Sequence, residues 1–285
     1  MKFVKILLLV AGVAVFATPA VAGTLYASSA AGATGELYIL NSATGAMIQD
    51  VGPLNDATSV NYPITGLAFN PITGVLYGST GNNPAATCAR LVSINPATAL
   101  VTVIGSFNAG PVNSSGNPTT MADIGFDSAG NLYGAASIGG PDLYSINLAT
   151  GQATLVGPNG ASTSTTGGGL AISSGGVFYG TPTASRFGTY NSGTGAYTNI
   201  ANPAKPVGGG YGALDFDGNV LYGLNVGSGS PAPTHLVTFD LATGAITDLG
   251  ASVNQLDAIA FLVPEPATVL LWATGLLALA GRRRR

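Results

Sequence analysis

Ile124-Gly125-Phe126-Asp127-Ser128-Ala129-Gly130-Asn131-Leu132-Tyr133-Gly134 holds two apolar runs separated by residues that favour turns. Such a stretch reads as two short antiparallel strands with a tight connection. The pattern recurs along the chain. Leu67-Ala68-Phe69 leads to Leu76-Tyr77-Gly78, Leu170-Ala171-Ile172 to Phe178-Tyr179-Gly180, and Leu214-Asp215-Phe216 to Leu221-Tyr222-Gly223. A second half follows each time. Leu143-Tyr144-Ser145-Ile146-Asn147 precedes the turn Ala149-Thr150-Gly151 and the run Thr154-Leu155-Val156-Gly157, with equivalents from Leu91 to Gly105, Phe187 to Ile200 and Leu236 to Gly250.

The leading-strand residues Phe69, Phe126, Ile172, Phe216 and Phe261 fall 57, 46, 44 and 45 residues apart. A unit of four short strands with this period is a β-propeller blade. The ends of the body complete the count. Residues 24–51 supply three strands without a leading one, and residues 256–262 supply only a leading strand. Joining one C-terminal strand to three N-terminal strands closes a ring and removes exposed sheet edges. The expected fold is therefore all-β: a five-bladed β-propeller over residues 23–263 with 1+3 strand closure. Phe69, Phe126, Phe216 and Phe261 are expected to fill the space between neighbouring sheets, beside Tyr77, Tyr133, Tyr179 and Tyr222. Thr-Gly marks the turn before the outer strand at 44–45, 150–151, 194–195 and 243–244, whereas the second unit has Thr98-Ala99.

Composition excludes the competing classes. Of 285 residues, 7% are charged and 46% hydrophobic, with 42 Gly and a single Cys. Collagen needs Gly at every third position and a coiled coil needs far more charged residues. One Cys cannot build a disulfide framework. Between residues 23 and 263 three cations face eleven acids, a formal charge of −8. That sign disfavours nucleic acid as a partner.

Both termini read as addresses. Lys2 and Lys5 precede an apolar run, Ile6 to Phe16, and Ala20-Val21-Ala22 fits the small-x-small cleavage pattern. Residues 1–22 are thus expected to form a signal peptide with a helical core, cut between Ala22 and Gly23. A buried helix of a cytosolic protein is the competing reading. At the other end, Val263-Pro264-Glu265-Pro266 precedes an apolar run, Ala267 to Gly281, and then Arg282-Arg283-Arg284-Arg285. Fifteen helical residues span roughly 22 Å, less than the roughly 30 Å hydrocarbon core. The arginines resist translocation. An ordinary C-terminal membrane anchor is the competing reading here.

This tail, residues 264–285, resembles the PEP-CTERM sorting signal of Gram-negative bacteria, through Pro264-Glu265-Pro266, the short apolar helix and the basic end in that order. The resemblance implies recognition by a membrane-embedded exosortase and the export machinery, transient residence in the inner membrane, cleavage near the motif and release to the cell surface or exterior. It also implies an association with exopolysaccharide.

The body offers little chemistry. His235 is the one side chain with a general-base pKa, and it reads as structural or solvent-facing. Cys88 in a long connection has neither a paired Cys nor a second His to make a zinc site or a triad. Asp215-x-Asp217-Gly218-Asn219 looks like part of a calcium loop but lacks the later Glu. Asn113-Ser114-Ser115 is a formal glycosylation sequon. No catalytic residue, metal ligand or cofactor is assigned. The longer connections (52–63, 81–89, 106–120, 158–166, 201–210 and 227–233) belong on one face of an up-and-down propeller, and function sits on loops carried by a rigid frame. The sequence thus points to an exported, non-enzymatic surface or matrix protein that binds polysaccharide or an envelope partner through that face. The alternative is a propeller hydrolase or lactonase with a metal in the central channel.

Overall fold

The computed structural model describes residues 23–30, 34–81, 86–108, 119–136, 142–157 and 168–262. The signal helix, the sorting tail, the sequon and much of three long connections lie outside the described residues. Within them the chain forms twenty strands and no helix.

Three strands open the chain: β1 (Thr24–Ser29), β2 (Glu36–Leu40) and β3 (Met47–Pro53). Four complete blades follow, each ordered from the axis outward. They are β4 (Ile64–Phe69), β5 (Leu76–Thr80), β6 (Arg90–Ile94) and β7 (Val101–Ser106); β8 (Met121–Phe126), β9 (Leu132–Ala136), β10 (Leu143–Ile146) and β11 (Ala153–Gly157); β12 (Gly169–Ile172), β13 (Phe178–Thr181), β14 (Phe187–Tyr190) and β15 (Tyr197–Ala201); β16 (Gly210–Asp217), β17 (Val220–Val226), β18 (Thr234–Phe239) and β19 (Ile246–Ala251). The last strand, β20 (Leu256–Leu262), pairs antiparallel with β1, so the first blade reads β20-β1-β2-β3. Leu25 stands opposite Phe261 and Thr24 opposite Leu262. Five four-stranded antiparallel sheets and the 1+3 closure are as the repeat arithmetic requires.

The core lies between blades. Five apolar clusters each join residues of two neighbouring sheets. The second-strand Tyr of one blade meets the innermost Phe of the next: Tyr26–Phe69 and Tyr77–Phe126 at 5.5 Å between ring centroids, Tyr179–Phe216 at 5.8 Å and Tyr222–Phe261 at 4.8 Å. These tilted or edge-on geometries suit the aromatic quadrupole. The fourth blade carries Ile172 where the others have Phe, and Tyr133 turns instead to Phe178, edge-on at 4.8 Å.

A bulge recurs in the outer pair of every blade. The register shifts at Leu37/Tyr38, Leu91/Val92, Leu143/Tyr144, Phe187/Gly188 and Leu236/Val237. The extra residue on the outer strand is Val51, Ile104, Val156, Ile200 or Leu249, each packed against a different one of the five clusters. A bulge adds local twist, so it both turns the outer strand and delivers an aliphatic side chain to the inter-blade core.

The outer strand's end then lies against the next blade's Thr-Gly turn. A Cβ on Gly45 would stand 2.9 Å from the Gly250 carbonyl oxygen, and one on Gly151 would stand 2.8 Å from the Gly105 carbonyl carbon. Gly195 meets Gly157 and Gly244 meets Ala201 in the same way. The second blade keeps the turn with Ala99 at φ 57°. Its methyl group is buried, and the preceding blade makes room: Gly52 has open space around it, and contact moves to Asn55, whose carbonyl accepts the Val101 N–H at 2.8 Å.

Candidate functional site

The innermost strands β4, β8, β12, β16 and β20 line the axis. Counting back from the ring of Phe69, Phe126, Ile172, Phe216 and Phe261 gives three levels of mostly small residues. One step back lie Ala68, Gly125, Ala171, Asp215 and Ala260. Three steps back lie Gly66, Asp123, Gly169, Ala213 and Ala258. Four steps back lie Thr65, Ala122, Gly168, Gly212 and Asp257. Each level therefore holds one aspartate, contributed by a different blade. Small residues are needed because the strands converge: a Cβ on Gly66 would stand 2.6 Å from the Asp123 Cα.

Asp123 is fully buried, and backbone donors surround it. Its Oδ1 accepts the Ile124 N–H at 2.9 Å, and its Oδ2 accepts Leu170 N–H at 2.9 Å and Leu214 N–H at 3.0 Å. It thus bolts β8 to β12 and β16 across the channel. Burial pushes its carboxyl well above the usual carboxylate range, against the pull of the three N–H donors. Asp215 accepts the Phe261 N–H on Oδ2 at 2.6 Å, and burial pushes it up to about 7. Burial alone pushes Asp257 up to about 7. Sequence reading took Asp215 only as part of a loop fragment and did not single out Asp123 or Asp257. Among the described residues no three His, Cys, Asp or Glu side chains converge as a metal-binding group.

At one end of the axis the channel opens into a cavity of about 500 Å³, lined by Phe69, Phe126, Ile172, Phe216 and Phe261 with Asp215, Thr24 and Leu262. This is the face of the tight turns between first and second strands, such as Asn70–Gly74. Thr24 and Leu262 belong to the cavity wall, so both ends of the propeller leave the disc here. The Gly23 N–H donates to Asp217, 3.3 Å from Oδ2 and 3.4 Å from Oδ1.

The long connections that are described throughout, residues 52–63, 201–210 and 227–233, lie on the opposite face, as their placement in uniformly antiparallel sheets demands. Two asparagines that the sequence reading passed over organise them. Asn61 exchanges hydrogen bonds with Gly35, accepting its N–H at 2.7 Å and donating to its carbonyl at 2.8 Å, and donates to Asn55 Oδ1 at 2.9 Å. Asp56 holds the tip of the same loop, accepting from Thr58 N–H at 2.8 Å and Val60 N–H at 3.0 Å. The Thr58 hydroxyl and these amides lower its pKa. Buried Asn225 donates to the carbonyls of Gly208 and Gly210, each at 2.9 Å, and accepts the Val207 N–H at 3.0 Å. Tyr211 donates its hydroxyl to the Ala204 carbonyl. The exposed tips include Thr58, Ser59, Asn202, Ser228 and Ser230, none of them charged.

His235 lies on β18 with Nδ1 2.9 Å from Asp248 Oδ2 on β19, in the outer half of the fifth blade and away from both the cavity and the channel acids. Cys88 is buried in the cluster between the second and third blades. Asp215 and Asp217 both serve the closing blade, through Phe261 and Gly23 respectively.

A search of curated proteins found no match. Among solved structures, TolB from Acinetobacter baumannii is 14% identical, with 85% of this chain and 67% of that one covered at a TM-score of 0.46. A structural genomics protein of unknown function from Bacteroides thetaiotaomicron is also 14% identical, with 80% and 55% covered at 0.45. The chain thus spans about two thirds and just over half the length of these two proteins. Residues 262–285 match the PEP-CTERM protein-sorting motif, which implies an exported protein processed by exosortase at the membrane and destined for the cell surface. Residues 26–230, which take in most of the propeller, match the model described as a repeat of unknown function (DUF6923), and the chain belongs to that family.

Proposed function

We propose that the mature protein is a non-enzymatic component of the cell surface or extracellular matrix that engages a neutral polysaccharide, or an envelope partner, through the long-connection face. The observation that carries this reading is the pairing of Thr24 with Leu262. It puts both ends of the propeller on the cavity face and leaves the opposite face directed away from whatever holds the tail. Only Val263-Pro264-Glu265-Pro266 separates Leu262 from the apolar run. Four residues reach at most ~14 Å, so the cavity face stays against the membrane for as long as the tail is inserted. The long connections then face outward. Their exposed tips are mostly Ser, Thr, Asn and Gly, with Asp56 and Lys205 the charged exceptions, and are pinned by Asn61 and Asn225, so little conformational freedom is lost on binding an uncharged polymer. Their low charge gives no attraction for acidic polymers.

The test is binding of the exported protein to the extracellular polysaccharide of its own producing cell and to a panel of neutral and acidic glycans. Ser59→Arg and Ser228→Arg variants, which leave Asn61 and Asn225 intact, should lower binding to neutral glycan at least fivefold. Retained binding in both variants, or binding restricted to acidic glycans, counts against the reading.

The hydrolase alternative draws on the cavity with Asp215 at its base. Turnover of a lactone or glycoside that is lost in Asp215→Asn would support it. The hydrogen bonding of Asp123 and Asp215 favours the non-enzymatic reading, because Asp123 spends both oxygens on backbone amides and Asp215 spends one.

A further inference from the structure

We infer that removal of the signal peptide completes the ring's closure: the freed α-ammonium of Gly23 forms an ion pair with the Asp217 carboxylate and fastens the first blade to the fifth. The cut between Ala22 and Gly23 is the sequence expectation stated above, and the structure supplies what lies beside the new terminus. Gly23 is buried, and its nitrogen faces both oxygens of Asp217 at 3.3 and 3.4 Å, 194 residues away in the chain. In the precursor that nitrogen is a neutral amide with one hydrogen to offer. Hydrolysis of the Ala22–Gly23 peptide bond consumes one water, leaves a carboxylate on Ala22 and turns the Gly23 nitrogen into an ammonium with three hydrogens. The contact then becomes a charge-assisted pair, shorter and stronger than a neutral hydrogen bond.

The seat is shaped for glycine. A Cβ on residue 23 would stand 3.2 Å from the Leu262 carbonyl oxygen, 3.2 Å from Phe261 Cδ1 and 3.3 Å from Asp217 Oδ1. Leu262 and Phe261 belong to β20, the strand whose pairing with β1 shuts the ring. Asp217 ends β16 in the neighbouring fifth blade. The ammonium therefore joins the closing strand pair to the adjacent sheet at the point where an incomplete ring would open. Asp217 also sits at the tight turn with Gly218, whose φ of 58° directs the chain straight back into β17 and holds the carboxylate at the rim.

The first test reads the N-terminal residue of the exported protein. A start at Gly23 is expected, and any other start overturns the proposal. The second compares thermal unfolding of the chain beginning at Gly23 with the same chain carrying Ser-Ala ahead of Gly23, which returns the nitrogen to a neutral amide and moves the charge outward. The free terminus should unfold about 1–4 °C higher, the shift a partly exposed ion pair of ordinary strength gives in a domain of this size. Asp217→Asn, which keeps the side chain's shape and an acceptor, should lower the first form and erase the difference between the two. Equal unfolding temperatures for the two forms, or a difference that survives in Asp217→Asn, would refute the pair. Neither result depends on glycan binding, so the failure of this inference and that of the proposed function are separable.

Discussion

The Oδ2 of Asp123, on the third blade, accepts the amide hydrogen of Leu214, on the fifth, at 3.0 Å and across 91 residues of chain. The same oxygen holds Leu170 on the fourth blade. One carboxyl thus ties three sheets at the axis, where the other four blades contribute only Gly or Ala at the same level. Asp123→Ala would leave three buried amides without an acceptor, at about 1–3 kcal/mol each. We expect a loss of about 3–6 kcal/mol in urea unfolding, large enough to read as a distinct mechanism. Asp123→Asn keeps one acceptor oxygen and should lose about half as much. A loss below 1 kcal/mol for the alanine variant would show that the axis does not depend on this side chain.

The channel acids set a pH dependence of unusual sign. Asp215 and Asp257 are each pushed up to about 7 by burial, while an unfolded aspartate titrates near 3.9. Between these values the folded state binds more protons than the unfolded one, so stability falls as pH rises from about 4 to about 7 and levels off above. Burial raises the Asp123 carboxyl in the same direction and adds to the fall. The unfolding temperature should therefore be higher at pH 5 than at pH 8. Asp215→Asn should raise it at pH 8 and flatten the profile. A profile that rises towards pH 8 would mean that the carboxylates are ionised and satisfied in the folded channel.

Two turn substitutions separate conformational strain from contact. Gly151 has φ 76° and stands against the Gly105 backbone. Gly151→Ala adds left-handed strain of about 1–2 kcal/mol to a backbone clash, and we expect about 2–4 kcal/mol of destabilisation in total. Ala99 already accepts the strained φ in a site with room for its methyl group. Ala99→Gly relieves that strain but gains freedom in the unfolded chain, so it should change stability by less than about 1 kcal/mol. Equal effects at the two positions would refute the offset between the first and second blades.

Blade number, strand order and closure were legible because each strand repeats a local pattern, and the same local signals returned at a near-constant interval. Phe69, Phe126, Phe216 and Phe261 were readable as inter-sheet packing for the same reason. What escaped reading depends on single blades. Asp123, Asp215 and Asp257 matter because three different repeats each depart once from Gly, Ala or Thr, and only an alignment of the repeats on their Phe positions exposes that. The bulge had a signal, the aliphatic-small pairs Val51-Gly52, Ile104-Gly105, Val156-Gly157, Ile200-Ala201 and Leu249-Gly250, but a two-residue pattern acquires meaning only with the register beside it. Asn61 and Asn225 lie in ordinary polar stretches, and their role depends on loops that fold back from elsewhere in the chain. The cavity went unforeseen because attention to loop length directs the eye to the long-connection face, whereas the cavity opens among the shortest turns.

The placement of the chain ends makes a prediction about processing. The propeller's last paired residue is Leu262, and the sorting motif begins two residues later at Pro264. A processing enzyme in the membrane must reach its target within ~14 Å of a rigid disc, whose Phe-lined cavity face is the nearest surface. Deleting Pro264-Glu265-Pro266 removes the recognised motif and most of that reach while leaving every described strand intact. The variant should fold and cross the inner membrane, since residues 1–263 are unchanged. It should remain in the membrane fraction with a mass that includes the apolar run and the four arginines, whereas the parent chain should be released and lighter. Lengthening the spacer by ten Gly-Ser residues between Leu262 and Val263 should leave processing intact, or faster if the disc crowds the enzyme. Normal release of the deleted form, at the parent's mass, would mean that the motif does not direct cleavage. Loss of processing on lengthening would mean that the enzyme reads the disc's face as well as the tail.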